Sequence, residues 1–442
     1  MASFQEVFLE RYCDLVPEDF EETEHVISVK KVELVGMNKV AAKIEKGATH
    51  LDFNNKNLVI CGEVSDEIRK KLSDVEELNL SNNSLTSWFE VVNVVKLLPK
   101  LQTLLLSGNK LEVPFDTNLQ TVLEMKKAMS TVKRVVFGDA DQNWFYIQCV
   151  ESHVMPLQLE ALEVFKNKVT QISKIPYTAF LNLKYLDLSM NSIDGWQSVS
   201  NLGKLPKLEV LILASCDISK IYFESEDEQE ETRLFSNLKE LSLRSNKLTN
   251  WIDIAELNKL KSLESLNVRG NPLFNAMDID VSFYYTLCRV FKLKKLNREE
   301  ITDTKRKEAA LYYIRNNYDE WLNRNADTSY VAEHPNFVEL LQKYGGVSDI
   351  AAKPTPAVPI QSKFIDVILA VPNGNELRKK LPASTTILNL KTLVRRVFKI
   401  DSSEAVELEW KATENFSLRL DDENGSLHTY AIDDNDTIIV KY

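Results

Sequence analysis

A frame of apolar residues closed by asparagine, L-x-x-L-x-L-x-x-N-x-L, returns along the first 273 residues of this 442-residue chain and limits its fold more than any other feature. One copy reads Val75, Leu78, Leu80, Asn83, Leu85, and the next Leu101, Leu104, Leu106, Asn109, Leu111. Further copies run through Leu159, Leu162, Val164, Asn167, Val169 and through Leu183, Leu186, Leu188, Asn191, Ile193. Leu208, Leu211, Leu213, Cys216 and Ile218 keep the frame with cysteine in the asparagine slot, and two more copies centre on Asn246 and Asn271. A degenerate copy, Val132-Val135-Phe137-Ala140, fills one gap, and a weak one, Leu51-Phe53-Lys56-Leu58, precedes the rest. The slot advances through 83, 109, 140, 167, 191, 216, 246 and 271, in steps of 24 to 31 residues. Self-similarity at that period is the mark of a stacked-repeat architecture.

The period and the frame are those of a leucine-rich repeat of cytosolic type. The expected fold is an α/β leucine-rich-repeat solenoid in which each L-x-L is a short parallel strand with its leucines in a continuous core. An asparagine amide both donates and accepts, so the Asn row is read as architecture that satisfies backbone groups where the chain leaves each strand. Trp88–Leu98 is helix-like, with Val91, Val94, Val95 and Leu98 on one face, and would line the convex side. Alternation puts the x residues on the concave face. Leu105, Val136, Phe165 and Ile212 are apolar there, where solvent would be expected, and Arg244 and Arg269 stand at basic positions of the same face. Exposed apolar groups on such a face mark a partner surface or lie under a flanking loop.

After Asn271-Pro272-Leu273 the period stops. Residues 281–321 read as helical, through Phe283, Leu287, Val290, Phe291, Ala309, Tyr312, Ile314 and Trp321, and would cap the exposed end of the repeats. Residues 287–307 carry eight basic and three acidic side chains. Lys292, Lys294 and Lys295 there are candidates for contact with an acidic partner, against the plainer reading of a solvated face. The acidic run Glu224–Glu231 reads as a solvated loop, and Lys353–Pro359, with three prolines, as a semi-rigid linker. Beyond it come two strand-like runs, Phe364–Leu369 and Glu376–Leu381, then a helix capped by Thr385 or Thr386, then Val406–Trp410, Ser417–Leu420 and Thr437–Val440. That ββαβββ order is a ubiquitin-like β-grasp. The chain thus divides into an N-terminal segment and cap (1–47), leucine-rich repeats (48–273), a helical C-terminal cap (274–346), a Pro-containing linker (347–361) and a ubiquitin-like domain (362–442).

Composition narrows the function. The formal charge is −11, the wrong sign for a general nucleic-acid or anionic-membrane binder. Five scattered cysteines form no C-x-x-C, so neither a zinc module nor a disulfide framework is expected, and isolated thiols suit a reducing compartment. Met1-Ala-Ser-Phe-Gln-Glu is not a signal peptide, and no apolar run approaches a membrane span. There is no P-loop, G-x-S-x-G or metal-ligand spacing, so no enzyme and no cofactor is expected.

The order of parts resembles the tubulin-folding cofactor E family. Leu78–Trp88, Leu266–Leu273, Leu296–Glu300, His334-Pro-Asn-Phe337 and Leu341–Gly345 are similar to segments of that family, over residues 25 to 442. Cofactor E begins with a Gly-rich CAP-Gly module that grips the α-tubulin tail; no such motif occurs here, and the chain is most like the cofactor-E-like branch lacking it. The resemblance implies a cytoplasmic, cytoskeleton-associated protein that binds tubulin, as α-tubulin or the heterodimer. It would control tubulin folding, dissociation or turnover without catalysis. Other tubulin cofactors or proteasome components are implied partners of the ubiquitin-like domain. The alternative is a leucine-rich-repeat adaptor that delivers a different client through that domain. Ubiquitin receptors are met by an apolar patch on the third strand, and Glu409 falls near its centre here. Tubulin is acidic and so is this chain, so local basic surface or apolar complementarity must carry the contact.

Overall fold

The computed structural model describes residues 2–12, 49–114, 118–223, 233–324, 327–344, 364–371, 376–401, 404–413, 416–421, 423, 425–427, 430 and 432–442. The acidic run 224–231, the linker 347–361 and most of the N-terminal segment lie outside them. Two compact units form, one of Met1–Asn267 with Arg289–Thr302 and Ala326–Asn336, the other of Val268–Cys288 with Asp303–Asn325 and Phe337–Tyr442.

The first unit opens with β1 (Ala2–Ser3) and α1 (Phe4–Tyr12). Phe4, Phe8 and Tyr12 are buried, and the Phe4 ring meets Phe53 edge-on at 5.0 Å. The repeats then follow as β2 (His50–Asp52), β3 (Leu58–Ile60), α2 (Asp66–Lys71), β4 (Glu77–Asn79), α3 (Trp88–Val95), β5 (Thr103–Leu105), α4 (Leu119–Ala128), β6 (Arg134–Val136), α5 (Trp144–His153), β7 (Ala161–Glu163), β8 (Tyr185–Asp187), α6 (Gly195–Ser200), β9 (Val210–Ile212), β10 (Glu240–Ser242), α7 (Trp251–Glu256) and β11 (Ser265–Asn267). β2 and β4 to β11 pair in parallel, in chain order, each in register with the last: Leu78 faces Leu104, Leu104 faces Val135, Leu186 faces Leu211. The frame leucines are buried, as their spacing requires.

The asparagine row does what its chemistry suggests. The Asn191 amide donates to the carbonyls of Val164 (3.0 Å) and Leu188 (2.8 Å), while its oxygen accepts from the N–H groups of Asn167 (3.2 Å) and Val169 (3.0 Å). One side chain so bridges two turns of neighbouring repeats, and Asn83, Asn167 and Asn246 repeat the pattern. Cys216 keeps the donor half: its thiol reaches the Leu188 carbonyl at 3.1 Å. Burial pushes that thiol up to about 12, so it stays protonated and able to donate. A second periodic residue accompanies the frame. Trp88, Trp144 and Trp251 each follow an N-capping Ser87, Asn143 or Asn250 that accepts an N–H from the first turn, and Trp196 is the second residue of α6.

The sheet does not end at Asn271. After α8 (Ile279–Arg289) come two short strands, β12 (Lys295–Leu296) and β13 (Glu299–Glu300), which make it 11-stranded. Leu293-x-x-Leu296 is a truncated copy of the frame with both leucines buried, and Leu296 pairs with Leu266. The stretch expected to be helical is thus helix, hairpin, then α9 (Asp303–Arg324), followed by α10 (Thr328–Glu333) and α11 (Phe337–Tyr344). Arg289, fully buried, lies over the Trp251 ring at 4.4 Å and pairs with Glu333 at 3.4 Å.

In the second unit Tyr313 packs on Tyr285 (5.1 Å) and Phe337 (6.2 Å). Its C-terminal part has β14 (Phe364–Ala370), β15 (Glu376–Pro382), α12 (Ile387–Phe398), β16 (Glu407–Thr413), β17 (Phe416–Arg419) and β18 (Thr437–Lys441), in the sheet order β15-β14-β18-β16-β17. β14 and β18 are parallel and the rest antiparallel. Thr386 caps α12, accepting the Asn389 N–H at 3.3 Å, and Ile387, Leu390 and Val394 pack on Ile365, Val367, Leu369, Leu408, Ile438 and Val440. This is the ββαβββ arrangement the hydrophobic pattern implies, each strand within three residues of its expected end.

Candidate functional site

The face of the parallel sheet opposite the leucine core is formed by the x positions, and the structure divides the expected contact residues. Leu105 and Ile212 are half-buried on it and keep exposed area. Val136 and Phe165 are buried, Phe165 to 5% exposure. The reason is one residue in the preceding repeat: a Cβ built on Gly138 would stand 2.4 Å from the Phe165 ring, so the ring fills the space that glycine leaves. Phe165 is therefore packing, which corrects its placement as an exposed apolar contact; Val136 is corrected likewise. Arg244 is buried as well, and Arg269, half-buried, forms an ion pair with Asp433. The large exposed apolar side chains of this unit stand mainly outside the strands: Phe89 on α3, Leu119 (74% exposed) and Leu123 (55%) on α4, and Phe145 on α5.

The centre of the strand face is polar, a feature the apolar reading missed. Arg134 donates to Glu163 through Nε (2.9 Å), with Nη2 at 2.7 Å. Next to Glu163 in register stands Asp187, whose oxygen accepts from the Ser189 N–H (2.8 Å) and hydroxyl (2.5 Å). Burial pushes the Asp187 carboxyl up to about 6 against the pull of those hydrogen bonds, and the nearby Glu163 adds to the rise. Burial also raises Tyr185, with the two carboxylates reinforcing it. The strand positions of these residues were legible; their gathering side by side was not, because it depends on register between repeats.

The three lysines differ. Lys292 donates to the Asn258 carbonyl at 2.7 Å, Lys294 pairs with Glu264 at 2.7 Å, and Lys295 is exposed on β12 opposite Glu300 in the hairpin. None of them lies on a helix, because Leu293 and Leu296 draw the segment into the sheet. Lys294 is also the last rung of a ladder. The residue just before each strand from β6 to β12 reads Lys133, Glu160, Lys184, Glu209, Lys239, Glu264, Lys294, and from Glu160 on the N–H of each donates to the carbonyl of the one before. The side chains therefore stack in register with alternating sign: Lys184 meets Glu160 at 2.9 Å, and Lys239 meets Glu209 at 2.9 Å.

On the outer face of the small sheet Glu409 stands on β16 opposite Ile439 and Arg419 and accepts from Lys441 at 2.6 Å, while Arg419 pairs with Glu407. The centre of that face is charge-paired. Among the described residues no helix is long and apolar enough to cross a membrane, and no three His, Cys, Asp or Glu side chains gather to hold a metal ion.

No protein-family model matches this chain. It is similar to tubulin-specific chaperone E of Bos taurus, 27% identical over 440 residues, covering 96% of this chain and 82% of that protein. The Danio rerio protein of the same name is 28% identical, covering 94% of this chain and 81% of its own length. Tubulin-folding cofactor E of Arabidopsis thaliana is 25% identical, covering 97% and 82%. Among solved structures, the C-terminal ubiquitin-like domain of mouse tubulin-specific chaperone e is 20% identical, with 21% of this chain and 93% of that one covered and a TM-score of 0.17. A TLR13–ssRNA13 complex gives 19% identity, 53% and 33% coverage and a TM-score of 0.36. A relationship to tubulin-specific chaperone E therefore extends over most of the chain at 25–28% identity.

Proposed function

We propose that this chain is a non-catalytic tubulin-binding regulator that acts on tubulin folding or heterodimer stability, by promoting dissociation or turnover. The observation that carries the reading is the span of the similarity: relatives named tubulin-specific chaperone E or tubulin-folding cofactor E match 94–97% of the chain, across the repeats, the helices after them and the small C-terminal sheet. The finer fold reading goes with it. The stacked strand-and-turn units are taken as leucine-rich repeats of a solenoid, and the ββαβββ unit as a ubiquitin-like domain. No CAP-Gly motif occurs in the 442 residues. The setting is cytoplasmic and cytoskeleton-associated.

The contact surface follows from charge and exposure. With −11 on the chain and an acidic partner, attraction at long range does not drive the encounter, so short-range complementarity does. Leu105, Ile212 and Lys295 have the exposure such a contact needs; Val136, Phe165 and Arg244 act behind it as its support. The charge-paired outer face around Glu409 is a poor match for a receptor that grips an apolar patch, so a proteasome link would use charge recognition. The test is to mix the purified chain with αβ-tubulin and follow both subunits by size exclusion and native gel. Co-elution with loss of intact heterodimer is the expected result. Free tubulin eluting unchanged at micromolar concentrations of both proteins would overturn the reading.

A further inference from the structure

Arg269 and Asp433 are 164 residues apart in sequence and form an ion pair in which the two side chains are only 12% and 11% exposed. A guanidinium so far removed from water needs a carboxylate, because an uncompensated charge at such a site is strongly destabilising. Both partners are held in place before they meet. Arg269 leaves the end of the last full repeat, where the Asn271 amide holds the Val268 carbonyl at 2.7 Å and Gly270 takes a φ of +71°. Asp433 opens the turn Asp433-Asp434-Asn435-Asp436 before β18. Its N–H donates to the Asp436 carboxylate (2.9 Å), and the Asp436 N–H returns to the Asp433 carbonyl (3.1 Å). The Asn435 N–H donates to the Asp366 carbonyl (2.6 Å), and Asp434 accepts the Asp366 N–H (2.8 Å). The turn is a short acidic peptide, three carboxylates in four residues, of which Asp433 meets Arg269 while Asp434 and Asp436 accept backbone N–H groups.

We propose that Arg269 is a carboxylate-binding position which Asp433 occupies in the resting chain, and that an acidic peptide segment of a partner exchanges with Asp433 there. The occupant is specified by chemistry: Asp or Glu side chains clustered as in 433–436, able to offer a guanidinium its paired acceptors. While the pair is closed, the apparent affinity for such a peptide is reduced by the fraction of chains in which Arg269 is open. This deepens the reading above, resting on it only for which protein supplies the acidic segment.

The experiment uses the full chain and a fluorescent ten-residue glutamate peptide, followed by anisotropy at low salt. Asp433→Asn removes the competing charge and is expected to raise peptide affinity about tenfold, about 1.4 kcal/mol. Adding Arg269→Gln to it should abolish the gain. The charge swap Arg269→Asp with Asp433→Arg rebuilds the pair in reverse and should show no gain, which guards against a gain caused by loosened folding. Unchanged affinity in a natively folded Asp433→Asn chain overturns the proposal. So does a gain that survives Arg269→Gln, since the peptide then binds elsewhere. Tubulin is absent from these arms, so failure of tubulin to co-elute while the peptide behaves as expected counts against the functional reading and not against this one.

Discussion

Replacing Gly138 with alanine should change sign with the residue at 165. In the native chain the new Cβ would stand 2.4 Å from one ring atom of Phe165 and 2.6 and 2.7 Å from two others, too close for any real contact. The ring is packed to 5% exposure, so it has little room to withdraw. Overpacking of this kind costs about 1–3 kcal/mol. Gly138 does not occupy the left-handed region, so alanine suits its backbone, and the loss of unfolded-state freedom returns about 0.4–1 kcal/mol. The net expectation is a loss of up to about 2.6 kcal/mol by these two terms. In a Phe165→Ala background, itself destabilised by about 3–5 kcal/mol, the clash is gone and only the entropic term remains. There Gly138→Ala should stabilise by about 0.4–1 kcal/mol, giving a coupling of roughly 2 kcal/mol between the two sites. Urea melts of the four proteins, read by tryptophan fluorescence at constant m-value, measure it. Equal effects of Gly138→Ala in both backgrounds would show that the ring does not lie over the glycine, and Phe165 would return to the list of exposed contacts.

Leu188→Asp should unfold the repeats, since Leu188 is fully buried and an unpaired carboxylate there costs several kcal/mol; a cooperative, native-like melt would refute the frame. Asp187, raised to about 6 when folded from 3.8, contributes stability that is fully present below pH 3.8 and is lost as pH rises through 6. Asp187→Asn should therefore gain on the native chain as pH rises from 4 to 7, and parallel urea midpoints across that range would disprove the assignment. Leu105→Asp with Ile212→Asp should weaken co-elution with tubulin at least tenfold with circular dichroism unchanged; full binding by a folded double variant would move the contact off the strand face.

What could be read without coordinates was whatever repeats within one strand-turn unit. The leucines at 78, 104 and 186, and the asparagines at 83, 167, 191 and 246, act within or next to their own unit, so spacing alone assigned them. The small C-terminal sheet was legible for the same reason, its alternation being local to each strand. Phe165 misled because its burial is made possible by Gly138, a residue one repeat away that leaves the ring room by lacking a side chain. The hairpin at 295–300 was missed because two leucines are too few to mark a repeat against the helical pattern on either side. Arg269 reads from sequence as a basic contact of the strand face because its partner stands 164 residues later.

The ladder of alternating charge before the strands gives the array a parity. Removing residues 160–183 would bring Lys133 beside Lys184, so that two ammonium groups would share one rung spacing. Removing 160–208 would bring Lys133 beside Glu209 and leave the alternation whole. The central strand position of each repeat is aliphatic, Leu or Val, so that row carries no such parity. Units of this array can therefore be lost or duplicated in pairs with the alternation of this ladder kept, whereas an odd change must be answered by a charge reversal at the seam.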